Sequence, residues 1–111
     1  MAVTSNNLRI VGGIELRYVL TWTLLRFGQM TVSELAKSLH FQGFTTRGRT
    51  SKSISDALRW EVGKGRVRRR GRGLYGPGSM PRQTESRIRA RVRGMRERTP
   101  ATSSSLLSSA A

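Results

Sequence analysis

The run RVRRRGRGLY, Arg66 to Tyr75, packs five arginines and two glycines into ten residues. A guanidinium offers planar N–H donors that match phosphate oxygens and the O6/N7 edge of guanine. The chemistry on offer is therefore anion recognition, not proton transfer or nucleophilic attack. Arginine supplies most of the 21 basic side chains, against 6 acidic ones, for a net charge of +15 over 111 residues. A chain this small and this basic points to a polyanionic partner. The competing explanations are an anionic membrane surface or a solvated surface kept soluble by charge.

Other chemistries are poorly provided for. There is no cysteine, which excludes disulfides, cysteine zinc fingers and thiol catalysis. The single histidine, His40, has no cysteine to join it and few carboxylates in the chain, so a capping or solvated role is expected. GRGLYG, Gly71 to Gly76, fits the dinucleotide pattern G-x-G-x-x-G. That pattern must open a helix inside a βαβ unit, and Pro77 and Gly78 follow it instead. No catalytic constellation emerges, and the expectation is a non-enzyme with no metal and no cofactor. The N-terminus lacks a basic segment leading into an apolar run. The longest apolar stretch, within Ile14 to Phe27, is broken by Glu15, Arg17 and Arg26 and is too short and charged to span a bilayer. An intracellular, cytoplasmic protein with no membrane partner is expected.

The elements that must position the arginines divide the chain by charge. Residues 1–46 carry four basic and two acidic side chains, and residues 47–98 carry 17 and four. The first part reads as a core builder and the second as a contact surface. Residues 1–11 read as a flexible arm. Apolar residues over Ile14 to Phe27 cover more than one stripe, predicting a helix buried on several sides and stopped by Gly28. In TVSELAKSLH, Thr31 and Glu34 form a capping box, followed by Val32, Leu35, Ala36 and Leu39 at helical spacing. A loop follows, which Phe41 and Phe44 should pin to the core. The spacing predicts a third helix over about 50–62, burying Ile54, Ala57, Leu58 and Val62, with Trp60 at the flank and Ser53 or Asp56 able to cap a later start. The glycine turn of the opening run predicts a hairpin. With Gly71 and Arg72 at the turn, Arg70 opposes Gly73, Arg69 opposes Leu74 and Arg68 opposes Tyr75. Pro81 to Arg98 reads as a basic fourth helix with an apolar stripe of Ile88, Val92 and Met95, suited to a homodimer contact or to docking on the chain's own core. Residues 99–111 are rich in serine and alanine, a composition expected of disorder.

The order helix, helix, loop, helix, hairpin resembles the winged helix-turn-helix family. MTVSELAKSL matches the first helix of the motif, TSKSISDALRWEV the recognition helix, and GRVRRRGRGLYGPG the wing. The resemblance implies a mainly α fold: a three-helix core with a small β-hairpin over residues 12–78, joined to the basic C-terminal helix at 79–98. It also implies a short strand at about Gln29–Thr31 pairing with the wing. On this reading Lys52, Ser55 and Arg59 of the third helix enter the major groove of duplex DNA, and Ser51 reaches a phosphate near the helix N-terminus. Arg47 and Arg49 in the loop, with Arg66, Arg68, Arg69, Arg70 and Arg72 in the wing, hold the backbone or minor groove. Arg87, Arg89, Arg91 and Arg93 add backbone contacts. A small transcriptional regulator is the function expected. A sequence-tolerant nucleoid protein or an RNA- or ribosome-associated protein is the alternative. A protein–protein adaptor is a further one, which an exposed Trp60 would favour.

Overall fold

The computed structural model describes residues 8–97. Residues 1–7 of the expected arm, Arg98 and the segment 99–111 lie outside the described residues. The elements are β1 (Arg9–Ile10), α1 (Gly13–Phe27), β2 (Met30–Thr31), α2 (Val32–Phe41), β3 (Phe44–Thr45), α3 (Thr50–Gly63), β4 (Val67–Gly71), β5 (Leu74–Pro77) and α4 (Arg82–Glu97). The chain is mainly helical with a small antiparallel sheet.

Helix α1 is the spine. It buries Leu16, Tyr18, Val19, Leu20 and Leu24, which spread around much of its circumference, and α2, α3 and α4 all pack against it. It stops where Gly28 takes φ 87° and its N–H reaches the Leu24 carbonyl at 2.8 Å, a backbone setting glycine adopts without penalty. The capping box at α2 is complete. The Glu34 N–H donates to Thr31 Oγ1 at 3.0 Å, and the Thr31 N–H donates to Glu34 Oε1 at 2.8 Å.

Several expectations need correction. The arm is not wholly loose, because β1 pairs in parallel with β3, Arg9 beside Phe44 and Ile10 beside Thr45, and Val11 is buried. Phe44 is fully buried, but Phe41 is 92% exposed. Phe41 lies two residues past the buried Leu39 in α2, a rotation of about 200° that turns it away from the core. Helix α3 begins at Thr50, as the spacing predicts, with no side-chain cap, so Ser53 and Asp56 lie inside it and cap no later start. Its buried face is Ile54, Ala57, Leu58 and Glu61, and Val62 is exposed. The Ile54–Leu58–Glu61 spacing of four and three continues the inward stripe, and Val62 falls to one side of it.

The three-stranded sheet has the order β2-β5-β4. Met30 faces Tyr75 and Thr31 faces Leu74, where a strand next to the hairpin was expected. The hairpin register is shifted from expectation. Arg68 pairs with Gly76, Arg69 with Tyr75 and Gly71 with Leu74. Arg70 is the extra residue of a bulge, and Gly73 takes the positive φ of 65° at the turn. A bulge inserts one residue on one strand, which moves the turn from Gly71-Arg72 to Arg72-Gly73. The hairpin tip is not free: the Val32 N–H at the start of α2 donates to the Gly73 carbonyl at 3.0 Å.

The stripe of α4 lies against the chain's own core. Ile88, Val92 and Met95 are at most 1% exposed and α4 packs on α1, so they supply no homodimer surface. The chain reaches α4 past Gly78, whose N–H donates to the Arg66 carbonyl at 2.9 Å. A Cβ at Gly78 would stand 2.2 Å from the Gly65 carbonyl oxygen and 2.8 Å from the Arg66 carbonyl carbon. Both obstacles are backbone, so Gly78→Ala should destabilise the fold by about 1–3 kcal/mol or more. At Gly12 a Cβ meets nothing within 4 Å and φ is an extended −157°, so Gly12→Ala should be near neutral. Urea denaturation of the two variants checks this; equal midpoints would contradict it.

Candidate nucleic-acid interface

A buried carboxylate joins the third helix to the hairpin. Glu61, 0% exposed near the end of α3, accepts from Arg66 Nε on Oε1 at 2.8 Å and from Arg66 Nη2 on Oε2 at 2.7 Å. Thr21 Oγ1 of α1 donates to Oε1 at 2.9 Å. Arg17 Nε of α1 stands 3.4 Å from Oε2. It is buried and not aligned for a hydrogen bond, so it contributes charge rather than a directed contact. The Glu61 carbonyl also accepts the Arg66 N–H at 3.1 Å. The Glu61 hydrogen bond holds Arg66 above its ordinary pKa, against the opposing effect of burial.

Arg66 is therefore committed inside the protein and is not an available wing contact. Its place is that of a strut, fixing where β4 leaves α3. The sequence reading missed Glu61, Arg17 and Thr21. A signal existed: a glutamate at the apolar spacing of α3, with an arginine five residues later.

The other expected residues fall where a ligand can reach them. Arg47 and Arg49 are exposed in the loop before α3. On α3, Ser51, Lys52 and Arg59 are exposed and Ser55 is half-buried. Lys52 Nζ meets Asp56 Oδ2 at 2.9 Å, with both groups more than half exposed, and surface pairs of this kind hold weakly. Arg68, Arg69, Arg70 and Arg72 are exposed on β4 and the turn. The stem of Arg70 lies over Gly76, with Cγ 3.4 Å from where a Cβ would sit there. β4 is an edge strand, so its arginines also guard against edge pairing.

Where the acids lie sharpens the pattern. Glu15 pairs with Arg9 and reaches Arg91 at 3.6 Å, Glu34 serves its cap, Glu61 is buried and Glu85 pairs with Arg89 at 3.3 Å. Among the described residues, Arg47, Arg49, Arg59, Arg68, Arg69, Arg70 and Arg72 have no carboxylate within ion-pair distance. Of the expected α4 contacts, Arg87 and Arg93 are exposed and have no carboxylate within ion-pair distance among the described residues, whereas Arg89 and Arg91 have the acidic neighbours just named.

Trp60 is 54% exposed. Arg17 stands 4.7 Å and Lys64 5.7 Å from its ring centre. It lines a cleft of about 520 Å³ between the start of α1 and the Ser53–Asp56–Trp60 side of α3. That side is distinct from the one carrying Ser51, Ser55 and Arg59. His40 is exposed, with Nε2 3.2 Å from Thr45 Oγ1. Gly71 to Gly76 lies in the hairpin and opens no helix. Among the described residues no group of three His, Asp or Glu gathers to hold a metal, and no helix is long and apolar enough to cross a membrane.

Comparison with family models, with curated proteins and with solved structures gives no match to this chain.

The strut makes a prediction that charge alone does not. Arg66→Met strips a buried carboxylate of its bidentate partner and should destabilise the fold by about 3–5 kcal/mol. Arg68→Met removes the same charge from an exposed position and should stay within about 0.5 kcal/mol. Equal unfolding free energies for the two variants would place Arg66 among the surface arginines.

Proposed function

We propose that the chain is a winged helix-turn-helix protein that binds duplex DNA. α2 and α3 form the helix-turn-helix and β4–β5 the wing. α3 enters the major groove, Arg47 and Arg49 hold the backbone beside it, and the wing arginines follow the phosphates or a narrow minor groove. One observation carries this reading: three consecutive elements present guanidiniums without carboxylate partners, while a buried Glu61–Arg66 pair fixes two of those elements to each other. An α-helix fits the major groove, where each base pair presents its own pattern of donors and acceptors. Arg59 and Lys52 suit guanine O6 and N7, and Ser51 and Ser55 can donate or accept.

The biological role that follows is a small transcriptional regulator. A sequence-tolerant, nucleoid-associated protein is the version in which the wing and loop dominate and α3 reads little. A second reading rests on a separate observation. The exposed Trp60, with Ile10 and Ile14 exposed near the same cleft, favours a protein-binding adaptor. Its recognition side of α3 would then be Ser53–Asp56–Trp60.

Fluorescence anisotropy with a labelled duplex at several salt concentrations tests the reading. Engagement of about five to eight phosphates gives a log–log salt slope of roughly −4 to −7. Arg69→Ala with Arg70→Ala should weaken binding to every duplex and flatten the slope by about 2. Arg59→Ala should cost about 1–3 kcal/mol on a preferred site and little elsewhere if α3 reads sequence. A slope near zero, or binding that only Trp60→Ala disturbs, contradicts the DNA reading and favours the adaptor.

A further inference from the structure

A second cluster of arginines lies on another side of the molecule. At about 100° per residue, Arg17 and Thr21 of α1, which meet Glu61 of α3, lie about 140° round the helix from Glu15, Trp22 and Arg26. These last three face α4: Glu15 reaches Arg91, Trp22 carries Arg96 over its ring, and Arg26 shares a cleft with Arg89. α3 and α4 thus flank α1 on nearly opposite sides.

The α4 side is built around Trp22. Arg26 and Arg96 stand 5.6 and 5.0 Å from its ring centre. Two clefts flank it, one of about 460 Å³ reaching Arg26, Glu85 and Arg89, the other of about 130 Å³ reaching Arg89, Arg93 and Arg96. Four guanidiniums therefore converge with one carboxylate, Glu85, which Arg89 engages at 3.3 Å. Arg96 donates from Nη2 to Gln42 Oε1, but its Nε is buried without a partner. Burial and then the charge of Arg26 press Arg96 below its ordinary pKa. A like-charge cluster of this kind is short of anions, and phosphate oxygens supply them in the geometry guanidinium prefers. Two guanidiniums stack on Trp22, so the site suits a phosphodiester backbone better than base stacking.

We infer that the Trp22 arginine cluster, Arg26, Arg89, Arg93 and Arg96, is a second duplex-binding site that holds phosphates, so that one chain bridges two DNA duplexes. The inference rests on the DNA reading above for its first site. The two sites lie on different sides of α1, so a straight duplex seated on α3 does not also reach the cluster, and Arg89 and Arg93 then hold the second duplex rather than the backbone of the first, as the resemblance implied. A single folded chain then tethers two duplexes without needing to dimerise.

A capture assay tests this. One biotinylated duplex is fixed to beads, the full chain is added, and a second, fluorescent duplex is offered. Wild type should capture the second duplex. The Arg89→Ala/Arg93→Ala variant removes two surface guanidiniums and leaves Ile88, Val92 and Met95 in place. It should keep its affinity for one duplex within about threefold while losing about tenfold or more of the capture, as two lost phosphate contacts imply. Its thermal melt should match wild type, separating loss of the site from loss of the fold. Three results overturn the proposal: wild type binding one duplex but capturing no second, capture unaffected by the double substitution, or both activities falling together in a folded variant. The first leaves the DNA reading intact, whereas failure of wild type to bind any duplex removes both.

Discussion

The arrangement of the basic surface depends on one buried ion pair. Glu61 carries a charge into a fully buried position, a placement that costs several kcal/mol unless partners offset it. Arg66 answers with two hydrogen bonds, Thr21 with one and Arg17 with its charge. Each partner sits on a different element or at a different point of the chain, so satisfying Glu61 fixes α1, α3 and the start of β4 together. A hydrophobic residue there could fill the same space. It could not specify the direction in which the hairpin leaves the helix. The hairpin is held at its far end too, by the Gly73 carbonyl at the start of α2 and by β2 along β5. Arginines on such a framework stand at set positions, and their ligand need not pay for ordering the segment that bears them.

The same economy governs the acids. With six carboxylates for 21 cations, nearly every acid that pairs does so in a structural role, at a cap, in the core or along a helix. What remains is a surface whose positive charge is concentrated on the loop, α3 and β4 on one side and around Trp22 on another. Self-repulsion of this kind lowers stability in the free protein and is relieved when a polyanion binds. The core that resists it is centred on α1, whose burial on several sides comes from helices packed on opposite flanks.

Much of this was legible in the sequence. The capping box at Thr31 and Glu34, the stop at Gly28 and the Ile54–Leu58 spacing each rest on local chemistry, and each marks an observed element. The hairpin was legible from its glycines. Its register was not, because a bulge at Arg70 leaves no mark when every candidate position is an arginine or a glycine. Apolar character alone predicts burial for Phe41 and Val62, whereas helix rotation exposes both. Glu61 was overlooked for the converse reason: its charge argued for the surface while its spacing argued for the core, and spacing won once Arg66 and Thr21 were at hand. Arg66 was counted with its neighbours in the run, since five arginines in ten residues look alike until a partner distinguishes one. The parallel pairing of β1 with β3 joins residues distant in the chain and gives no local pattern to read.

Duplex DNA is the proposed ligand. The most direct test of this is a selection from mixed random pools of duplex DNA and RNA at about 150 mM salt, near physiological ionic strength, followed by sequencing of what the chain retains. Recovery of duplex DNA is expected, with a short enriched motif if α3 reads base edges and none if the arginines act on phosphates alone. Enrichment of RNA over duplex DNA, or no recovery above background, would contradict it.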